Sequence, residues 1–334
     1  MGAGGVRSAG AVLFAAALGC GAASSSGTPT AGTDAAVRGA NGGTQSIPYV
    51  FVVAMENENI SEVYGDVAGA PYINLTLIPA YARATDFVDQ FSAGVPSEPH
   101  YVWLEAGTNA FADHTFTTDK APSATNSTAS TAHLATQLAG AGLSWTAYEE
   151  GLDAGTGACP ISGSGFYAPK HNPFVFFQDV AGNPPAETAP GCAAHMKPLT
   201  ALSADLDAGA MAPYVFITPD LCHDMHGADG CPAGDVIKAG DDWLRSNLPP
   251  LLDFANANAG VVFVVWDEGD ASGHLPFLAL GPGVKSGYAG SRTYTHSSVL
   301  KTVEELLGLP ILPAVSAAED LSDLFGPGAI PAAN

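Results

Sequence analysis

Positive charge is what this sequence has least of. Lys and Arg together number 11 against 33 Asp and Glu in 334 residues, a formal charge of −22 at pH 7. Such a chain repels nucleic acid and anionic lipid headgroups, which excludes a nucleic-acid partner as its main business. Charged residues of both signs reach only 13%, while 47% are hydrophobic. That balance fills the core of one large domain or two modest ones and excludes a wholly disordered chain. There is no internal repeat. An anionic substrate would need a local cation strong enough to reverse the acidic field, which points to a metal ion.

The N-terminus has its own composition. Arg7 precedes the apolar stretch from Ala11 to Leu18, followed by Gly19-Cys20, so residues 1–20 have the shape of an export signal. The apolar stretch is too short to span a bilayer. Ala17-Leu18-Gly19-Cys20 resembles a bacterial lipoprotein box with Ala in place of the usual leading Leu. Two alternatives follow: a membrane tether through lipidated Cys20, or plain signal cleavage. Either places the protein outside the cytoplasm, as a secreted, periplasmic or cell-envelope species. Residues 21–46 are nearly all Gly, Ala, Ser and Thr, the composition of a flexible linker, so the folded domain is expected over 47–334. Setting Cys20 aside leaves four cysteines in an oxidising compartment. Proximity favours Cys222 with Cys231 and Cys159 with Cys192 among the three pairings; the alternative is free buried thiols.

Tyr49 to Met55, Tyr214 to Thr218, Val261 to Trp266 and Leu275 to Leu280 are apolar runs of strand length. Helical patterns lie over Tyr72 to Ala82, Ala132 to Ala139, Asp235 to Asn247 and Ser297 to Leu307. Strands alternating with amphipathic helices predict a three-layer α/β sandwich around a mostly parallel central sheet. The Gly/Pro-rich segment 151–193 reads as a surface insertion near one sheet edge. Ligands of such sheets bind beyond the carboxyl ends of the strands, where this sequence places Glu56-Asn57, then Asp220 to His226, then Asp267-Glu268-Gly269-Asp270.

Glu56 and Asn57 offer oxygen ligands for a hard divalent cation, and Asp267 with Glu268 repeat the arrangement after another strand. Two acidic clusters at neighbouring strand ends repel unless a cation lies between them. Ser97, in Pro96-Ser97-Glu98-Pro99-His100-Tyr101, stands at or just before a helix start, where a hydroxyl serves either as an ordinary cap or as a metal-activated nucleophile. His223, Asp224 and His226 occupy a loop bounded by Cys222 and Cys231. Lys170-His171-Asn172-Pro173-Phe174 adds a cation and an imidazole, and His296 opens the last long helix. Each histidine alone is more commonly structural than catalytic.

In order and spacing, these segments resemble the phosphoesterase family of bacterial acid phosphatases and phospholipases C, a branch of the alkaline phosphatase superfamily. The resemblance runs through most of residues 48–310 and implies an alkaline-phosphatase-like fold. It implies Glu56, Asn57, Asp267 and Glu268 as metal ligands together with the nucleophile Ser97, and His226 and His296 as catalytic. It also implies His100, Asp224 and His171 as substrate-binding. His100 replaces an Asn usual in the family; Asp220 and His223 also stand where Asn is frequent. Asp270 reads as an outer or surface residue. The implied reaction is hydrolysis of a phosphate monoester, on a small molecule or a lipid headgroup, through a phosphoserine, with Ca, Mg, Mn or Zn as the cation. A phospholipase C-type phosphodiesterase or a phosphoinositide phosphatase is the alternative; size favours the phosphatase, since the domain ends near residue 310 without the extra C-terminal domains of large phospholipases C. In a different class stands an inactive cell-surface binding protein.

Overall fold

A computed structural model of the protein describes residues 47–152, 158–269 and 273–330. The expected export signal, Cys20, the 21–46 linker and Asp270 lie outside the described residues. In chain order the strands are β1 (Val50–Met55), β2 (Ala82–Ala84), β3 (Phe87–Val88), β4 (Trp145–Glu149), β5 (Met196–Pro198), β6 (Tyr214–Thr218), β7 (Val261–Trp266), β8 (His274–Leu275), β9 (Phe277–Leu280) and β10 (Ala289–Gly290). Eight of them form one sheet in the order β10-β2-β9-β7-β1-β6-β4-β5, while β3 and β8 make a separate pair. β7, β1, β6, β4 and β5 run parallel, and β9 is antiparallel to both β7 and β2. All residues of β1, β6 and β7 are buried, which is why these strands read as unbroken apolar runs rather than as alternating patterns.

The three layers follow from side-chain parity. Phe51 on β1 meets Phe254 of the long helix Val236–Asn258. Its neighbour Val52 pairs with Phe216 on β6, which meets Tyr101 of the helix Ser97–Ala106. Successive strand residues face opposite sides, so the two helices cover opposite faces of the sheet. The mostly parallel α/β sandwich is therefore present as expected.

Several boundaries differ from the sequence reading. The helix expected to stop at Asn247 runs on through Pro249 and Pro250 to Asn258. Both prolines are exposed, whereas Leu248, Leu251, Leu252 and Ala255 are buried. The carbonyls left without a donor one turn earlier thus face water, and the apolar stripe continues past them. Pro276 divides the run from Leu275 to Leu280 between β8 and β9, because proline lacks the ladder donor. Tyr72 to Ala82 forms a π-helical turn, Ile73–Leu77, and a short turn, Ile78–Ala80, before Ala82 enters β2. Segment 151–193 is no simple surface insertion: His171 to Phe177 is buried within it, a stretch masked by Gly/Pro-rich flanks. Both expected disulfides are present, Cys159–Cys192 and Cys222–Cys231.

Candidate active site

The register of two adjacent strands creates the acidic centre. β1 and β7 pair in parallel with Met55 opposite Trp266, so the next residues, Glu56-Asn57 and Asp267-Glu268, leave the sheet side by side. Asp267 N–H donates to Met55 O at 3.0 Å, and Asn57 N–H donates to Asp267 Oδ1 at 3.2 Å. Asn57 takes the left-handed backbone conformation, φ 59°, which Asn tolerates better than most side chains. On the other side of β1, the loop after β6 returns to this edge, where Glu56 N–H donates to Asp224 O at 2.8 Å.

Ser97 is the first residue of its helix, with Pro96 in the capping position. Its buried hydroxyl turns away from the helix amides to lie 3.1 Å from Glu56 Oε2 and 3.0 Å from Glu268 Oε1. The Lys170 ammonium approaches the same Oγ at 3.4 Å, His226 Nε2 at 3.4 Å and Asp119 Oδ2 at 2.6 Å. Lys170 has three N–H bonds and meets three acceptors. His226 N–H donates to Asp224 Oδ1 at 2.7 Å, and its ring Nδ1 lies 2.6 Å from Gly227 O. Because a carbonyl only accepts and an ammonium only donates, Nδ1 carries the proton and Nε2 is the acceptor.

The other histidines are deeper. His171 is buried, stacked on Tyr101, with Nε2 3.0 Å from Glu56 Oε1 and Nδ1 3.3 Å from Asp224 Oδ2. Burial, reinforced by Lys170, lowers its pKa to about 3, so it is neutral. His296 directs Nε2 to Trp266 O at 2.9 Å, and burial, with His100 beside it, lowers its pKa to about 4. His100 lies against Asp89 at 2.9 Å and Pro96 O at 3.0 Å. Burial penalises its charged form, but Asp89 and Asp267 outweigh that penalty and its pKa is raised. His100, Asp267 and Glu268 lie close enough to share a cation, yet both His100 nitrogens are engaged elsewhere, so its contribution there is positive charge.

Four carboxyl groups, Glu56, Asp224, Asp267 and Glu268, crowd this edge. Burial, then Asp267 and Asp224, push Glu56 well above the ordinary carboxyl range. Burial followed by Asp267 lifts Glu268 to about 7, and burial lifts Asp224 to about 7. Glu56 Oε1, although His171 Nε2 lies 3.0 Å away, and Asp267 Oδ2 are buried with no hydrogen bond formed. An excess of buried oxygen acceptors over donors is what a divalent cation would relieve. Asp220 and His223 pair instead with Glu150 beyond the end of β4. Sequence reasoning noted Lys170 without giving it a role, and it missed Asp89 and Asp119. No motif marks those two acids in so acidic a chain.

The profile of the phosphoesterase family matches residues 72–310. The chain is 30% identical to the phosphatidylinositol-3-phosphatase of Mycobacterium tuberculosis over 83% of each sequence. It is 29% identical to the phosphate-repressible acid phosphatase of Penicillium chrysogenum over 51% of this chain and 40% of that one. In fold it is similar to an alkaline phosphatase superfamily protein of Vibrio parahaemolyticus, with TM-score 0.51 and 13% identity over 83% of this chain and 70% of the other. With a sheet edge that gathers carboxylates and imidazoles around one serine, the chain belongs to the phosphoesterase family, as a hydrolase of phosphoric ester bonds with the alkaline phosphatase superfamily fold.

Proposed function

We propose that the protein hydrolyses phosphate monoesters by metal-dependent two-step displacement with Ser97 as nucleophile. The supporting observation is the Ser97 Oγ, held 3.1 Å and 3.0 Å from Glu56 and Glu268 at the start of a helix. A serine acting only as a cap would turn its hydroxyl to an amide of its own first turn, and this helix has no such bond. Glu56, Asn57, Asp267 and Glu268, with Ser97, suit a hard divalent cation by their oxygen donors and their uncompensated charge. A bound cation would lower the pKa of the Ser97 hydroxyl and neutralise the non-bridging phosphate oxygens.

The residues then divide the proton traffic. Ser97 gives its proton to Glu268 or Glu56, and Oγ attacks phosphorus in line. The bond from phosphorus to the alcohol oxygen breaks, and that oxygen takes a proton from His226, whose Nε2, the acceptor for Lys170 in the free enzyme, is protonated and turned to the leaving oxygen once substrate is bound. In the second step, water returns a proton to His226 as its oxygen attacks phosphoserine. The bond from phosphorus to Oγ breaks, and Ser97 recovers its proton from the carboxylate. His226 suits this role better than His296, because it is only partly buried and borders Lys170. His296 is buried, neutral and tied to a backbone carbonyl. Lys170 offsets phosphate charge, and His171, wedged between Glu56 and Asp224, backs the carboxylates rather than the substrate.

The likeness to a phosphatidylinositol-3-phosphatase over 83% of both chains favours a second substrate class, a phosphomonoester on an inositol lipid. Acid-quenched enzyme incubated with p-nitrophenyl phosphate should carry phosphate on Ser97 by mass spectrometry, and Ser97→Ala should carry none and turn over at least ~10³-fold more slowly. Unchanged turnover in Ser97→Ala overturns the assignment. A substrate panel of p-nitrophenyl phosphate, its bis-ester, phosphatidylcholine vesicles and phosphatidylinositol 3-phosphate vesicles reads the substrate class; turnover of diesters only would establish a phosphodiesterase instead. Absence of turnover with every divalent metal would leave a binding protein.

A further inference from the structure

Asp119 lies on the segment between the nucleophile helix and the helix Leu134–Gly140, outside every motif of the family resemblance. Its carboxylate joins two groups of the active site. Oδ1 accepts the Glu98 N–H, the amide directly after Ser97, at 3.0 Å, and Oδ2 accepts from Lys170 Nζ at 2.6 Å. The segment is clamped in return, since Glu98 Oε2 accepts the Lys120 N–H at 2.7 Å and the Asn126 amide at 3.0 Å. Asn126 is itself held by His114 Nε2 at 3.0 Å and by its own bond to Lys120 O at 3.2 Å. Residue 98 therefore grips the backbone at 120 while residue 119 grips the backbone at 98.

This reciprocal clamp leaves Asp119 little freedom, which matters because of what it holds. A lysine side chain has a long flexible stem and loses rotamer entropy when its ammonium is fixed. Lys170 is the sole Lys or Arg among the described residues shown to contact Ser97. Its side chain is 19% exposed and that of Asp119 31%, so the pair borders solvent at the mouth. There a lysine without an anchor would sample water rather than Ser97 and His226.

We propose that Asp119 is a positioning residue, acting through Lys170 to hold its ammonium on Ser97 Oγ and His226 Nε2. The inference deepens the proposed function and rests on it for the meaning of the Ser97 contact. Its test, however, reads the coupling of Asp119 to Lys170 whichever group attacks phosphorus, and phosphoserine trapping reads the nucleophile separately.

The experiment is a double-mutant cycle on the full chain, using Asp119→Ala, Lys170→Ala and the pair, scored by kcat/KM on p-nitrophenyl phosphate. Asp119→Ala should lower kcat/KM about 10- to 100-fold in the wild-type background and less than about 2-fold in the Lys170→Ala background. Asp119→Glu should recover part of the loss, because it restores the anion without the same reach. Inorganic phosphate affinity, measured by calorimetry on the same four proteins, supplies a second cycle if Lys170→Ala turnover is too slow. Should Asp119→Ala fail to fold, Asp119→Asn replaces it, keeping an acceptor for the Glu98 amide and losing the anion. Equal losses in both backgrounds would overturn the proposal by assigning Asp119 a purely structural part. A rise in kcat/KM on removing Asp119 would also overturn it, by showing that the carboxylate occupies donors the phosphate needs.

Discussion

His133 ties two parts of the active-site framework together, and its charge should make that tie sensitive to pH. Its fully buried ring has Nδ1 2.8 Å from Glu105 Oε1, at the far end of the Ser97 helix, and Nε2 3.0 Å from both oxygens of Asp179. Asp179 follows closely on the buried run from His171 to Phe177, and the His133 ring stacks on Phe177 at 4.0 Å. Burial disfavours the imidazolium, but Asp179 and Glu105 outweigh it and raise the pKa from 6.5 to about 9. A raised histidine pKa means that the folded state binds the proton more tightly than the unfolded chain does. The stabilisation is therefore complete below pH 6.5 and disappears as pH rises through about 9. At about 1.4 kcal/mol for each pH unit, the interval is worth roughly 3 kcal/mol. The perturbation is the double replacement His133→Gln with Glu105→Gln, compared with wild type by urea unfolding from pH 6.0 to about 9.5. The stability gap should shrink by roughly 3 kcal/mol across that range. A gap independent of pH would refute the assignment of a charged His133.

Other outcomes follow from the same site. Chelation should abolish turnover and lower Tm by about 5 °C, with both restored by one or more of Ca, Mg, Mn and Zn; activity and Tm indifferent to chelation would count against the metal reading. Asp267→Asn, which weakens a proposed ligand, should reduce metal affinity about 10- to 100-fold by titration calorimetry while the far-ultraviolet spectrum stays unchanged. Removing the Cys222–Cys231 disulfide, whose partners are 9 residues apart and enclose Asp224 and His226, should cost about 2–3 kcal/mol in urea unfolding and lower kcat/KM with it. Gly240→Ala would drive a Cβ into the Met225 side chain. It should destabilise the protein by about 1–3 kcal/mol and slow turnover, because Met225 separates Asp224 from His226.

Much of this architecture was legible in the sequence because burial writes local patterns. The apolar runs bound β6 and β7 correctly, and the run for β1 overshoots its start by one residue, Tyr49. The long helix was cut short because Pro249 and Pro250 ordinarily end helices; only the solvent-facing side they occupy shows why they do not. The segment from His171 is marked in the sequence by its cation and imidazole, but the burial of His171 to Phe177 is hidden by flanks rich in Gly and Pro. Family resemblance selected Ser97 and the acidic pairs, but composition could not rank Asp119 or Asp89 among so many carboxylates.

The sequence alone thus determined the central strands, the carboxylates and amide at their ends and one candidate serine, since strand period, apolar content and motif order are local or linear properties. Tertiary structure decided which of those residues meet. Glu268 and Ser97 are 171 positions apart; they meet because the β1–β7 pairing sets Glu268 beside Glu56 and the Ser97 helix, packed on the sheet, brings its hydroxyl to both. It also decided how apparently equivalent histidines differ. His171 and His296 are buried and neutral, His133 is held charged by two acids, and His226 borders solvent beside Lys170. An imidazole's protonation and reach are set by the groups packed around it, and those groups come from distant parts of the chain.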